Sequence, residues 1–323
     1  MTRAGFSRTL KKRDVLCAGL IAVLLAGCAA SRDAFDVSDT PISATTDATV
    51  IARGRYLAYG PAHCVSCHTP DGPSTSFEPE ETPPLVGGYP FRFPGGLVHA
   101  PNLTPDTETG IGQRTDAELV RVLRYGIRAD GRKAVPIMEY QNLSDEDLIA
   151  LISFLRAQAP VHHPVPKRRL NLMGKIGMAL LIHPRSPEGK PVVLSPEEAP
   201  TVERGAYLAN SVANCASCHT RRSSLGKYKG PRFAGGWTMP LEEDPHHVLV
   251  TPNLTPDSTT GYMTSWSEDD FLARFRKGRL VKSSHMPWET YATMSDDDLR
   301  ALYRYLRTLE PVRNETRPVL RER

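Results

Sequence analysis

The chain is written twice. Gly54-Arg55-Tyr56-Leu57-Ala58 returns as Gly205-Ala206-Tyr207-Leu208-Ala209, and Cys64-Val65-Ser66-Cys67-His68-Thr69 returns as Cys215-Ala216-Ser217-Cys218-His219-Thr220. Pro101-Asn102-Leu103-Thr104-Pro105-Asp106 recurs from Pro252 to Asp257, and Ser144-Asp145-Glu146-Asp147-Leu148 recurs as Ser295-Asp296-Asp297-Asp298-Leu299. All four pairs are 151 residues apart. A constant offset over more than a hundred residues describes a duplicated domain rather than a stack of short repeats. The copies are placed at 49–161 and 201–313 of the 323 residues, joined by a proline-rich and basic linker at 162–200. Residues 314–323 read as an exposed tail, and each copy is expected to be a packing unit of its own.

Each copy carries three helix signals. The first lies around 50–59, just before the cysteines. The second opens on a capping box, Thr115 with Glu118 or Ser267 with Asp270, and stops near Gly126 or Gly278. The third opens on Ser144 with Asp147, or Ser295 with Asp298. It continues as an i, i+3, i+4, i+7 apolar stripe, Leu148, Leu151, Ile152 and Leu155 in the first copy. Residues 175–182 of the linker read as one short apolar helix. The 28 prolines favour loops between helices, where no convincing strand is seen. The expected fold class is mainly α, two tandem domains, each small enough to need another source of cohesion.

Cys64–His68 and Cys215–His219 both read Cys-x-x-Cys-His. Two thiols three positions apart on one helical turn can add to the two vinyl groups of one porphyrin edge, and the adjacent imidazole then reaches the iron. This is the c-type haem attachment pattern, and two covalently bound haem c groups are expected. A zinc site would need a fourth ligand, and a redox dithiol would sit in a βαβ pattern that is absent. For the sixth iron position the first copy offers Met138, and the second Met286, each in the loop before the last helix. The two loops are out of register: aligned on Tyr140 and Tyr291, Met286 falls opposite Val135 and Met138 opposite Glu289. His99 and His285 are the rival ligands. Met294 is read as core, and Met239 and Met263 as packing or loop residues. The carbonyls of Pro83 and Pro231 are expected to orient the proximal histidines. Asn102 and Asn253 either meet propionates or cap turns.

The formal charge of +4 is carried wholly by residues 1–27, where Arg3, Arg8, Lys11, Lys12 and Arg13 face Asp14. The remainder is balanced and shows no basic stripe for nucleic acid. A basic stretch followed by the apolar run 15–27 reads as an export signal, too short to span a bilayer. It ends in Leu25-Ala26-Gly27-Cys28, which resembles a bacterial lipobox, with Cys28 lipidated and 28–48 a polar tether. Ala29 after the cysteine leans toward the outer membrane.

With these motifs in view, each copy resembles a class I cytochrome c domain. The whole resembles the bacterial diheme cytochromes related to the cytochrome subunits of membrane-bound alcohol and gluconate dehydrogenases. The residues that carry the likeness are the haem motifs, the Pro-Asn-Leu-Thr-Pro-Asp segments, Met286-Pro287-Trp288, and the Ser-Asp-x-Asp-Leu helix starts. The resemblance implies electron transfer from a periplasmic donor toward the respiratory chain. With the lipobox, the expectation is a lipid-anchored electron carrier on the periplasmic side of a bacterial membrane, not an enzyme in itself. Its partners would be redox proteins: a dehydrogenase, a quinol-linked complex or a terminal oxidase. The alternatives are a dedicated cytochrome subunit of a periplasmic dehydrogenase, and a diheme peroxidase.

Overall fold

The structure, a computed structural model, describes residues 41–78, 81–188, 192–223, 226–241, 244 and 246–322. The signal, Cys28 and residues 29–40 lie outside the described residues. In the first copy, α1 (Ala48–Tyr59) precedes the first haem motif, β1 (Pro90–Phe93) and β2 (Gly96–His99) form a hairpin, and α2 (Asp116–Tyr125) and α3 (Asp145–Ala157) follow. The linker supplies β3 (Arg169–Leu170) and α4 (Leu172–Leu180). The second copy runs α5 (Val202–Tyr207), α6 (Cys215–Cys218), β4 (Thr238–Pro240), β5 (His247–Val250), α7 (Glu268–Arg276), α8 (Trp288–Tyr291), α9 (Asp296–Thr308) and β6 (Leu320–Glu322).

The cap signals do what their chemistry dictates. Thr115 and Ser267 both close full capping boxes, with Glu118 and Asp270 reaching back to the cap amides. Ser144 and Ser295 accept from the amides of Asp147 and Asp298. Gly126, at φ 66°, ends α2 in the left-handed conformation that glycine adopts without a Cβ penalty.

Within each copy the first and last helices cross at a glycine. A Cβ added at Gly54 would meet the Ala150 carbonyl oxygen at 1.9 Å, and one at Gly205 would meet that of Ala301 at the same 1.9 Å. The repeated glycine is therefore a point where two helix backbones touch. Around it, Leu57, Leu148 and Ile152 in one copy, and Leu208, Leu299 and Leu302 in the other, are buried.

The structure departs from the sequence reading in two ways. First, each copy has a three-stranded antiparallel sheet, ordered β1-β2-β3 and β4-β5-β6. The strands escape pattern reading because they are two to four residues long, and β1, β2 and β4 begin or end on Pro or Gly. Their third members come from the linker and from the last residues, so 314–323 is no free tail: Thr316 is fully buried and Leu320 pairs with Leu249.

Second, the copies are not separate packing units, because residues Pro41–Arg323 form one compact body. A reciprocal contact joins them. Tyr56 Oη donates to Asp298 Oδ2 at 2.6 Å, and its counterpart Tyr207 Oη donates to Asp147 Oδ2 at 2.7 Å. Each aspartate also receives the arginine of its own copy. Arg53 reaches Asp147 at 3.0 Å, and Arg204 reaches Asp298 at 2.8 and 3.1 Å. A buried carboxylate so surrounded has its lone pairs satisfied, which is the condition under which a charge can be buried at all.

Candidate haem-binding sites

Each attachment motif starts from the same backbone twist. The residue before the first cysteine, His63 or Asn214, has a positive φ, 41° and 50°, and turns the chain into a single helical turn holding both cysteines. All four cysteines are free of disulfides. Burial pushes the Cys64 thiol up to about 12, Cys67 to about 11 and Cys215 to about 12, with Cys218 also raised. Thiols held protonated this way are poor redox dithiols at neutral pH.

The histidines are fixed by matched carbonyls. His68 Nδ1 lies 2.8 Å from the Pro101 oxygen, and His219 Nδ1 lies 3.0 Å from the Pro252 oxygen. Hydrogen bonding at Nδ1 leaves Nε2 of each ring available to ligate a metal. Burial lowers both imidazoles, His68 to about 4, so they are held neutral as a metal ligand must be. The acceptors are not Pro83 and Pro231 as the sequence suggested. Pro83 instead accepts from Tyr59 Oη at 2.5 Å. The glycine pairs serve the same seat. The amides of Gly87 and Gly235 donate to the carbonyls of His68 and His219, both at 2.8 Å. Positive φ at these glycines, 74° and 68°, lets the backbone pass against residues 100–101 and 251–252.

Asn102 and Asn253 are turn organisers. Asn102 donates to the Val161 carbonyl and accepts from Thr104, and Asn253 repeats this with Val312 and Thr255. The duplication continues past the boundary drawn from sequence: His163 N donates to Thr109 Oγ1 as Asn314 N donates to Thr260 Oγ1, and β3 and β6 pair with the matched strands β2 and β5.

The methionine loops are tied to the motifs by tyrosines. Tyr140 Oη donates to the Ala62 carbonyl, two residues before Cys64, and Tyr291 Oη donates to the Ala213 carbonyl at 3.0 Å, two before Cys215. Met138 and Met286 are half-buried in these loops. Met138 lines a cavity with Tyr125, Val135, Ile182 and His183, and its carbonyl accepts from Arg185 Nη1 at 2.8 Å. Met294 is 1% exposed and belongs to the core, and Met263 is buried. Met239 lies on β4. His99 sits on β2 with its Nδ1 buried and without a hydrogen-bond partner, while His285 is exposed and engaged.

Sequence reading missed a second role of these loops: each clasps the motif of the other copy. Thr290, beside Tyr291, meets Ser66 between the first two cysteines, with their buried hydroxyls 2.7 Å apart. Arg279, held by Glu289, donates to the Pro73 carbonyl at 2.8 Å. In the other direction Glu139, beside Tyr140, pairs with Arg222 at 3.3 Å, and Arg222 Nε donates to the Ser217 carbonyl at 2.8 Å. Glu139 also receives Tyr228 Oη at 2.8 Å and Arg185 at 3.1 Å. The available signal was the repeat itself, since Glu139 and Thr290 are matched positions, as are Ser66 and Ser217.

Free paired thiols, a neutral histidine oriented through Nδ1, and a tyrosine-anchored methionine loop fit a covalently held haem c in each copy. Comparison with known proteins agrees. Residues 51–159 match a family model described as cytochrome c, and residues 200–306 one described as cytochrome c oxidase, cbb3-type, subunit III. The cytochrome c subunit of alcohol dehydrogenase (quinone) from Gluconobacter oxydans is 32% identical over 282 residues, covering 82% of this chain and 56% of that subunit. The gluconate 2-dehydrogenase cytochrome c subunit of Pantoea cypripedii is 29% identical, covering 80% of this chain and 59% of its own length. A diheme cytochrome c-type protein of Cereibacter sphaeroides is 28% identical, with 93% of this chain and 99% of the relative covered. The chain therefore spans more than half, but less than two thirds, of these two dehydrogenase subunits. It is built of two cytochrome c domains and is related to the cytochrome c subunits of dehydrogenases and to diheme c-type cytochromes.

Proposed function

We propose that this chain is the electron-transfer subunit of a dehydrogenase working on the periplasmic side of a bacterial membrane. The observation that carries the reading is that two complete attachment motifs are clasped into one body, the first touched by the other copy's methionine loop and the second tied to it through Arg222. The relatives favour this subunit role over that of a free-standing carrier. Each haem, when bound, supplies a reversible one-electron couple. The chain's own residues would hold it: Cys64 and Cys67, or Cys215 and Cys218, through thioether bonds, with His68 and Met138, or His219 and Met286, as the iron ligands. The carbonyls of Pro101 and Pro252 aim the imidazoles, and burial keeps them neutral. The buried tyrosines Tyr140 and Tyr291 exclude water and fix the loops. The thioether ligands would favour ferrous iron and a raised potential.

Acylation of Cys28 would hold the chain to the membrane. No described helix is long and apolar enough to cross one. The test is a pull-down of the tagged chain from native membranes. A flavin- or quinone-dependent dehydrogenase should co-purify and reduce the bound haem when given its substrate. The intact mass of the chain should exceed that of the acylated polypeptide by two haem groups. Recovery of the chain alone, or of one haem, would overturn the reading.

A further inference from the structure

The linker carries a surface that electron transfer does not explain. α4 has the sequence Leu-Met-Gly-Lys-Ile-Gly-Met-Ala-Leu, and its apolar side faces outward. Leu172 is 73% exposed, Met173 65%, Ile176 50%, and Leu180 68%, with Leu181 just beyond at 58%. At 100° per residue, the first four fall on one face about 100° wide. This is not a helix that failed to dock. Its opposite side is pinned by Gly174, which is buried so tightly that a Cβ there would meet the Gly95 carbonyl oxygen at 2.0 Å. Asn171 caps its start and donates to the Pro94 carbonyl at 2.8 Å, and Lys133 Nζ donates to the Ile182 carbonyl at 2.5 Å beyond its end. The fold holds α4 firmly and leaves the apolar face bare.

Charge selects what covers it. From 159 to 187 the sequence has no Asp or Glu, and it has Lys167, Arg168, Arg169, Lys175 and Arg185. Residues 28–323 are balanced overall, so the rest of that chain is correspondingly acidic, and bound haem would make it more so. Lys167, Arg169 and Lys175 are exposed around the apolar face. Burial and the neighbouring charges of Arg128 and Arg132 lower Arg168 against the opposing pull of Asp130, so cations outnumber the one carboxylate acting on it. An apolar stripe bordered by lysine and arginine, on a molecule otherwise acidic, is the chemistry of a helix lying at an anionic lipid headgroup surface.

We propose that α4 seats the molecule on anionic phospholipid, with Leu172, Met173, Ile176 and Leu180 at the headgroup–acyl boundary and Lys167, Arg169 and Lys175 among the phosphates. The contact is independent of any acyl group on Cys28 and of the identity of the electron donor. It would fix which side of the two-domain body faces the bilayer.

Hydrogen exchange on the haem-loaded full chain tests this peptide by peptide, so a lipid anchor elsewhere does not confuse it. With vesicles containing phosphatidylglycerol, exchange across 167–182 should slow several-fold while α9 is unchanged. High salt or phosphatidylcholine alone should abolish the slowing. Ile176→Asp with Leu180→Asp should abolish it too, as should Lys167→Glu with Arg169→Glu and Lys175→Glu. These positions are exposed, so the variants should keep the wild-type haem spectrum and unfolding midpoint. Unchanged exchange with anionic vesicles would overturn the proposal. So would equal slowing with neutral ones, or slowing seen only when a dehydrogenase subunit is added, which would make α4 a protein-docking face.

Discussion

At the seam between the copies, matched residues do matched work. Tyr56 and Tyr207 cross to the opposite aspartate and Arg53 and Arg204 hold their own, while within each copy Gly54 and Gly205 admit the facing helix at the same distance. At the methionine loops, matched positions carry different chemistry. Glu289 stands where the first copy has Met138, and Thr290 where it has Glu139. The first motif is touched directly by a neutral hydroxyl, whereas the second is reached through Arg222, which bonds Ser217 and is held by Glu139 together with Arg185 and Tyr228. The difference separates two demands. Joining the copies needs a symmetric buried hub, whereas two redox sites that must differ need unlike surroundings, and the loops are where the duplicated sequence was free to diverge.

The largest stability effect is expected at the hub. Asp298→Ala leaves Arg204, which is fully buried, with an unpaired charge and should cost about 3–5 kcal/mol. Asp147→Ala should cost less. Arg53 is 13% exposed and keeps Glu198 at 2.6 Å. Chemical denaturation of the haem-loaded protein checks the order, and equal losses would show that the hub is more symmetric than its exposures suggest.

At the irons, Met138→Ala and Met286→Ala should each remove about half of the weak ferric absorption band near roughly 695 nm that accompanies thioether ligation, and lower one haem potential. Had the copies been separate units, each shift would be confined to one haem. The cross-clasp predicts otherwise: a loosened Met138 loop releases Glu139 from Arg222 and should broaden the second haem's spectrum too. If Met138→Ala leaves the band whole while His99→Ala changes the first haem, that haem is ligated by two histidines.

Gly54→Ala and Gly205→Ala come next, and should be alike. Each forces a methyl into a carbonyl of the facing helix, an overpacking that costs about 1–3 kcal/mol. A clear inequality in the unfolding midpoints would show that one helix pair can move apart and the other cannot.

These comparisons also show what was legible. Elements defined by local chemistry were readable: the capping boxes at Thr115 and Ser267, the apolar stripe from Leu148 to Leu155, and the paired motifs. Elements defined by a distant partner were not. β3 and β6 are short, lie beyond the visible repeat, and exist only because β2 and β5 offer them an edge. The histidine acceptor was assigned to Pro83, although Pro101 stood in plain view at the head of a repeated segment. A carbonyl has no sequence signature, so nothing local distinguishes the proline that meets the ring. The clasp was hidden for a related reason: Glu139 finds Arg222 across 83 residues, and Thr290 finds Ser66 across 224.

The smallest expected effect decides whether the unlike loops matter electrically. Thr290→Val keeps the shape of the side chain and leaves the Ser66 hydroxyl without its partner, which should cost about 1–2 kcal/mol. No charge is removed, so the first haem's potential should hardly move. Glu139→Gln also keeps the shape, but it removes a negative charge facing Arg185 and Arg222, beside the second attachment motif. A nearby negative charge favours ferric over ferrous iron, so its loss should raise the second haem's potential, and the rise should shrink as salt screens the site. Spectroelectrochemical titration of both variants separates the cases. If Thr290→Val shifts its haem as far as Glu139→Gln shifts the other, then loop position rather than charge sets the difference, and the asymmetry of the clasp is mechanical.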